Sequence, residues 1–135
     1  MSNHTPPVAV RKNVLSWFEI PVSDLARSQR LYESMLDTKL EVTSFMGIPH
    51  AVISNSDHSC VSGALFQDAK RVPRKGEGTV IYLLAPDGVA CCLSRAVEAG
   101  AKVVLPITSI GPQGNIATVE DFDGNVVGLH EGVAQ

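Results

Sequence analysis

The chain has 135 residues, 44% hydrophobic and 19% charged, which is enough for one compact domain with a real core. A net charge of −3 and a pI of about 5.7 give no basic surface for nucleic acid, and no apolar run approaches the roughly 18 residues that span a bilayer. Three cysteines, an odd count, make no disulfide framework and suit buried thiols in a reducing cytoplasm.

Met1 to Pro7 lacks the basic and apolar segments of a secretory signal, and residues 1–12 read as a disordered tail. Val14 to Pro21 alternates as a strand should, with Trp17 and Glu19 on one face and Phe18 and Ile20 on the other. Pro21 ends it. Ser23 or Asp24 can cap a helix whose apolar stripe is Leu25, Ser28, Leu31/Tyr32 and Met35/Leu36. Lys39 to Val42 reads as a second strand, and Phe45 to Ser54 as a third, interrupted near Gly47 and Pro49. Asn55-Ser56-Asp57 is turn chemistry, and Cys60 to Gln67 a fourth strand. Two residues apart on a strand, His58 and Cys60 could share a face as base and nucleophile, but such proximity alone is weak support for catalysis.

Asp68 to Gly78 is polar and rich in breakers. Its basic residues Lys70, Arg71, Arg74 and Lys75 could form an anion site, but a solvated linker is the simpler reading. A second half then follows the first. Thr79 to Leu84 is a strand, and Pro86-Asp87 starts a helix with the stripe Val89, Leu93, Ala96/Val97. Cys91 and Cys92 fall side by side on it, so their side chains diverge. Gly100 suits a left-handed helix end. Lys102 to Leu105 is a strand. Asn115 to Glu120 and Val126 to His130 form a hairpin around Asp121-Phe122-Asp123-Gly124-Asn125.

The halves share one plan. Asp24 to Lys39 and Asp87 to Lys102 each span fifteen residues and each bracket a helix between strands. The expected fold is α+β: two βαβββ modules, residues 13–67 and 79–131, joined by a linker at 68–78. Their mixed sheets curve around a common cavity, and the helices cover the outside.

The chain resembles the vicinal oxygen chelate superfamily, which includes glyoxalase I, bleomycin-resistance proteins, fosfomycin-resistance enzymes and extradiol dioxygenases. Trp17-Phe18-Glu19-Ile20-Pro21-Val22-Ser23-Asp24, Arg27-Ser28 and Leu31-Tyr32 carry the resemblance. So do Gly63-Ala64-Leu65, Val97 to Val103, and Asp121 to Asn125, so that it covers residues 13–131. It implies, in enzymes, a divalent metal held by His, Glu or Gln on the cavity faces of the strands. The first ligand position falls on Trp17, seven residues before Asp24. The second falls in Cys60 to Phe66, which has no Asp or Glu. The third is Val80 or Ile81, depending on where a gap is placed, and the fourth is Gly128. None is a good ligand, so the expectation is no metal and no cofactor.

Strand parity identifies what shares that vacant face. Trp17, Tyr82, Val126 and Gly128 would line a partly aromatic pocket, and Glu19, His130 and His50 would supply polar groups. The leading reading is a cytoplasmic, homodimeric protein that binds a small molecule in a metal-free cavity, without nucleic-acid or membrane partners. A rival is a lyase or isomerase with Glu19 as general base and His130 or His50 as acid. A third is drug sequestration in a pocket between subunits. A fourth is a divalent-metal enzyme with the non-standard ligand set Glu19, His50 and His130.

Overall fold

A computed structural model of the chain describes residues 15–54 and 61–132. The expected tail, the Asn55-Ser56-Asp57 turn and the His58/Cys60 pair lie outside the described residues. The first half runs β1 (Trp17–Pro21), α1 (Leu25–Leu36), β2 (Glu41–Phe45), β3 (Ile48–Ile53) and β4 (Ser62–Phe66). The second runs β5 (Ile81–Leu84), α2 (Val89–Glu98), β6 (Lys102–Ser109), a 3-10 turn (Gly111–Gln113), β7 (Asn115–Glu120) and β8 (Val126–Glu131). The fold is α+β. Each half makes one four-stranded mixed sheet, in the orders β1-β4-β3-β2 and β5-β8-β7-β6, with β1 parallel to β4 and β5 parallel to β8.

The helices form where the sequence supplies a start and a stripe. Asp24 is the α1 cap, its Oδ1 accepting the Arg27 N–H at 3.1 Å, and Leu25, Ser28, Leu31, Tyr32, Met35 and Leu36 are buried as the periodicity requires. Each helix also receives an acceptor from the strand beside it. Gln67, just past β4, accepts the Leu25 N–H at 2.9 Å, and Glu131, at the end of β8, accepts the Val89 N–H at 2.9 Å. The α2 N-cap residue is Gly88, which has no side chain to cap with, so Glu131 takes that role. The α2 stripe is Val89, Cys92 and Ala96, with Leu93 partly buried; Val97, expected inside, is half exposed.

Two strand boundaries differ from the expectation. Phe45 ends β2 rather than starting β3. Met46 and Gly47 both have positive φ, 54° and 78°, and make the two-residue turn that joins antiparallel strands in their native twist. β6 runs four residues past Leu105 to Ser109. Its pairing with β7 shifts register around Pro106, which an edge strand tolerates because its outer N–H positions have no partner to lose.

Phe18 and Ile20 face the helices and enter one core with Leu31, Met35, Val89 and Leu129. The halves are tied outside the sheets as well. α1 packs on α2. Arg95 of α2 donates to the Ser34 and Met35 carbonyls at 2.9 and 3.1 Å, at the C-terminal end of α1 where carbonyls run out of helical partners. Its guanidinium also pairs with Asp87 at 2.8 Å, which holds that carboxyl down at about 2. Buried Tyr32 donates to Asp121 at 2.8 Å, and Asn125 donates to the Pro21 carbonyl at 2.9 Å.

Candidate functional site

Alternation in β1 places Phe18 and Ile20 in the core and turns Trp17 and Glu19 to the opposite face. The register carries that face across the first sheet. Glu19 lies beside Ala64, Pro21 beside Phe66, and Phe66 beside His50. His50 therefore points to the Glu19 side, which parity alone had left open.

Glu19 is the centre of a polar cluster. One carboxylate oxygen accepts from Arg71 at 2.9 Å. The other lies 3.3 Å from His50 Nε2 and 3.4 Å from the Trp17 indole nitrogen. The Arg71 hydrogen bond, opposed by burial and helped by Trp17 and His50, pulls the Glu19 carboxyl below its ordinary value. The surroundings are aromatic. The Arg71 guanidinium lies 4.2 Å above the Phe66 ring. His50 stacks on Phe66 at 5.9 Å and meets Phe45 edge-on at 5.0 Å. Its Nδ1 donates to the Ile48 carbonyl at 2.8 Å, which fixes the ring with Nε2 toward Glu19.

On the second sheet, Tyr82 lies in register with Gly128, and its ring covers the space a Cβ there would need. Val126, Gly128 and His130 share that face. His130 Nε2 is 2.7 Å from the Gln113 carbonyl, so it is engaged at the other end of this sheet. Between the sheets is a cleft of about 490 Å³, walled by Glu19 and Pro21 of β1, Val72 and Arg74 of the connecting segment, and Val80 and Val126.

Of the residues expected in the site, Glu19, Trp17 and His50 come together, and Glu19 and Val126 reach the cleft wall. Trp17, His50, Tyr82, Gly128 and His130 do not line that cleft. The expectation of a solvated 68–78 linker is corrected in part. The segment is irregular and largely exposed, yet Arg71 returns to Glu19 and Val72 and Arg74 wall the cleft. The signal was the concave-face carboxylate itself, which needs a cation when drawn away from water and had four candidates in that segment.

The residues present do not fit a catalytic divalent metal. The positions the resemblance assigns to ligands carry an indole at Trp17, an isopropyl at Val80 and only hydrogen at Gly128; Ala64, facing Glu19 on the fourth strand, offers a methyl. Glu19 and His50 are two acceptable ligands, but His130 is not with them, and among the described residues no three His, Cys, Asp or Glu side chains group closely enough to hold an ion.

A family model described as Glyoxalase/Bleomycin resistance protein/Dioxygenase superfamily matches residues 14–129. No curated protein matches the sequence. Among solved structures, the chain is similar to the V278E mutant of glyoxalase I from Zea mays, with a TM-score of 0.69 at 21% identity over 91% of this chain. It spans about half of that protein, 47% of its length. It is also similar to the fosfomycin resistance protein FosX from Listeria monocytogenes, with a TM-score of 0.64 at 15% identity over 90% of this chain and 94% of that one. A glyoxalase/bleomycin resistance protein from Streptomyces sp. CB03234 matches with a TM-score of 0.61 at 23% identity over 86% and 98%. At these identities the structural likeness speaks to the fold.

Proposed function

Because the chain belongs to the glyoxalase/bleomycin resistance protein/dioxygenase superfamily, we propose that it binds a small organic molecule in the cleft between its two sheets, without a metal. The observation that carries this reading is the state of Glu19. Glu19 is part of the cleft wall, and its carboxylate is already held by Arg71 and the Trp17 indole, with His50 Nε2 3.3 Å away. A general base near neutral pH needs a pKa near that pH and a free lone pair; Glu19 has a lowered pKa and paired oxygens. Such a group orients a ligand better than it abstracts a proton. The apolar wall of Val72, Val80 and Val126 suits the ligand's body, and the relatives named for glyoxalase and drug resistance support the small-molecule class.

The same reading has the protein acting as a homodimer in the cytoplasm. Half-exposed Phe45 and Leu84, 74% exposed, support a partner surface. Cys92, whose thiol burial pushes up to about 11, is a group that stays reduced and inert.

Trp17 is the sole tryptophan and touches Glu19, so its emission reports on the site. A ligand found by equilibrium dialysis against a metabolite mixture should shift that emission saturably, and Glu19→Gln should weaken its binding. A tight ligand that changes neither Trp17 emission nor the Val72, Val80 and Val126 methyl resonances puts the site elsewhere. Affinity kept in Glu19→Gln with turnover abolished makes the protein an enzyme.

A further inference from the structure

The cleft has a wall made of backbone as well as side chains. In a parallel pair, residues alternate in turning their N–H and C=O toward the partner strand or away from it. Val22 N–H donates to the Phe66 carbonyl at 2.9 Å. With Pro21 opposite Phe66 in the register, that assigns Phe18, Ile20 and Val22 to the β4 side. Glu19 and Pro21 therefore turn their backbone groups to the outer edge of β1. The second sheet follows the same rule: Ala85 N–H donates to the His130 carbonyl at 2.9 Å, which leaves Tyr82 with its backbone groups on the outer edge of β5. Among the described residues, β1 and β5 are edge strands of separate sheets and do not pair with each other.

The edge already holds an amide. The Asn125 side-chain Nδ2 donates to the Pro21 carbonyl at 2.9 Å, and Asn125 is itself part of the cleft wall. One step back along the same edge is Glu19, also in the wall, and its N–H and C=O face away from β4, the strand with which β1 pairs among the described residues. An extended residue carries these two groups side by side on one edge, where a facing residue would exchange two hydrogen bonds with it. A trans amide cannot answer both, because its own N–H and C=O point opposite ways. A cis amide can, because both lie on one side.

We propose that the outer edge of β1 at Glu19 is a docking point for a cis-amide group, a lactam or primary carboxamide, whose apolar body fills the cleft against Val72, Val80 and Val126. The ligand N–H donates to the Glu19 carbonyl and the ligand carbonyl accepts from the Glu19 N–H. Trp17 has the same outward parity but does not line the cleft, and Pro21 has no N–H and its carbonyl is occupied by Asn125, so Glu19 is the outward-facing wall residue able to make both bonds. The Glu19 side chain, turned to the sheet face and held by Arg71, takes no part in the pairing. The inference rests on the small-molecule reading above and specifies what the molecule presents to the wall.

The test compares two ring fragments of one shape, 2-pyridone and 2-pyranone, titrated into the 15N-labelled full chain. 2-Pyridone presents N–H and C=O together; 2-pyranone replaces the N–H by a ring oxygen. 2-Pyridone should move the Glu19 amide resonance saturably and bind at least about tenfold more tightly, the size expected for a donor replaced by a repelling lone pair. Equal affinity, a Glu19 amide that stays still while other resonances move, or no saturable shift up to the solubility limit overturns the amide docking point. If Trp17 emission still responds to other small molecules in that case, the cleft-binding reading stands while this refinement falls. If neither Trp17 emission nor the Val72, Val80 and Val126 methyl resonances respond to any binder, the broader reading falls too.

Discussion

Glu19 shows how one residue's surroundings decide what it can do. Read from sequence, it was an acidic group on a face otherwise lined by Trp17 and apolar residues, equally suited to base catalysis or to pairing. The structure pairs it with Arg71, and the two states differ in pH behaviour. The Arg71 hydrogen bond lowers the Glu19 pKa below 4.5, so the folded chain holds this proton less tightly than the unfolded one. The resulting stabilisation is fully present above pH 4.5 and is lost as the pH falls through the lower folded value. Arg71→Ala should therefore raise the Glu19 pKa, measured by carboxyl carbon NMR, and should make acid unfolding below that pH less steep than in the parent. Because the Arg71 side chain is 57% exposed, solvent screens the pair and the stability change at neutral pH should be under about 1 kcal/mol. A Glu19 pKa unmoved in Arg71→Ala would mean that His50 and Trp17 hold the carboxylate without the guanidinium.

At the scale of elements, the two halves repeat a device that residue composition hides. Each helix N-terminus is satisfied from the C-terminal end of its neighbouring parallel strand, by Gln67 for α1 and Glu131 for α2. α1 has Asp24 as well, whereas α2 starts at Gly88 with no side-chain cap of its own. The loss should therefore be unequal. Glu131→Ala should cost about 1 kcal/mol in urea unfolding, the typical worth of a cap, and Gln67→Ala clearly less. Glu131→Gln keeps the acceptor oxygen and should recover most of the difference. Equal costs for the two alanine variants would show that Asp24 and Gln67 do not back each other up. The elements themselves were legible because their signals are local: a capping Asp, a stripe at helical spacing, an Asp-Gly turn. The errors came where two local signals overlapped. Gly47 read as an interruption of one strand because Pro49 follows it closely, although a residue-Gly pair between apolar runs is also what a two-residue hairpin turn needs. Arg71 was legible only as one of four candidate cations for Glu19: 52 residues and an irregular segment separate the two, and no periodicity says which of the four returns.

At the scale of the molecule, the question is what sets one half against the other. Exposed apolar residues stand at two places on the surface: Met46, 99% exposed, and Phe45 close the β2–β3 hairpin, and Leu84 ends β5; the proposed dimer would cover them. The chain should accordingly sediment at twice its 14.4 kDa mass, and a sharp monomer peak at micromolar concentration would remove the dimer from the proposal. Within the chain, Tyr32 is the joint. Its ring is fully buried in the first half while its hydroxyl donates to Asp121 in the second, a buried carboxyl that also accepts from the Asn125 side chain and from the Asp123 and Asn125 N–H groups. Burial raises the Asp121 pKa, and these donors hold the rise in check. In the folded state this carboxyl binds its proton more tightly than in the unfolded state, so stability is lost as the pH rises from 3.8 through the folded pKa. Tyr32→Phe removes one donor and nothing else of comparable size. It should raise the Asp121 pKa further and cost about 1–3 kcal/mol at neutral pH. The cost should shrink to that of a neutral hydrogen bond, about 1 kcal/mol or less, as the buffer is taken well below pH 3.8, where Asp121 is protonated in both states and no charge is left to stabilise. Urea unfolding of parent and variant across that range separates this from a packing defect, which would cost the same at every pH.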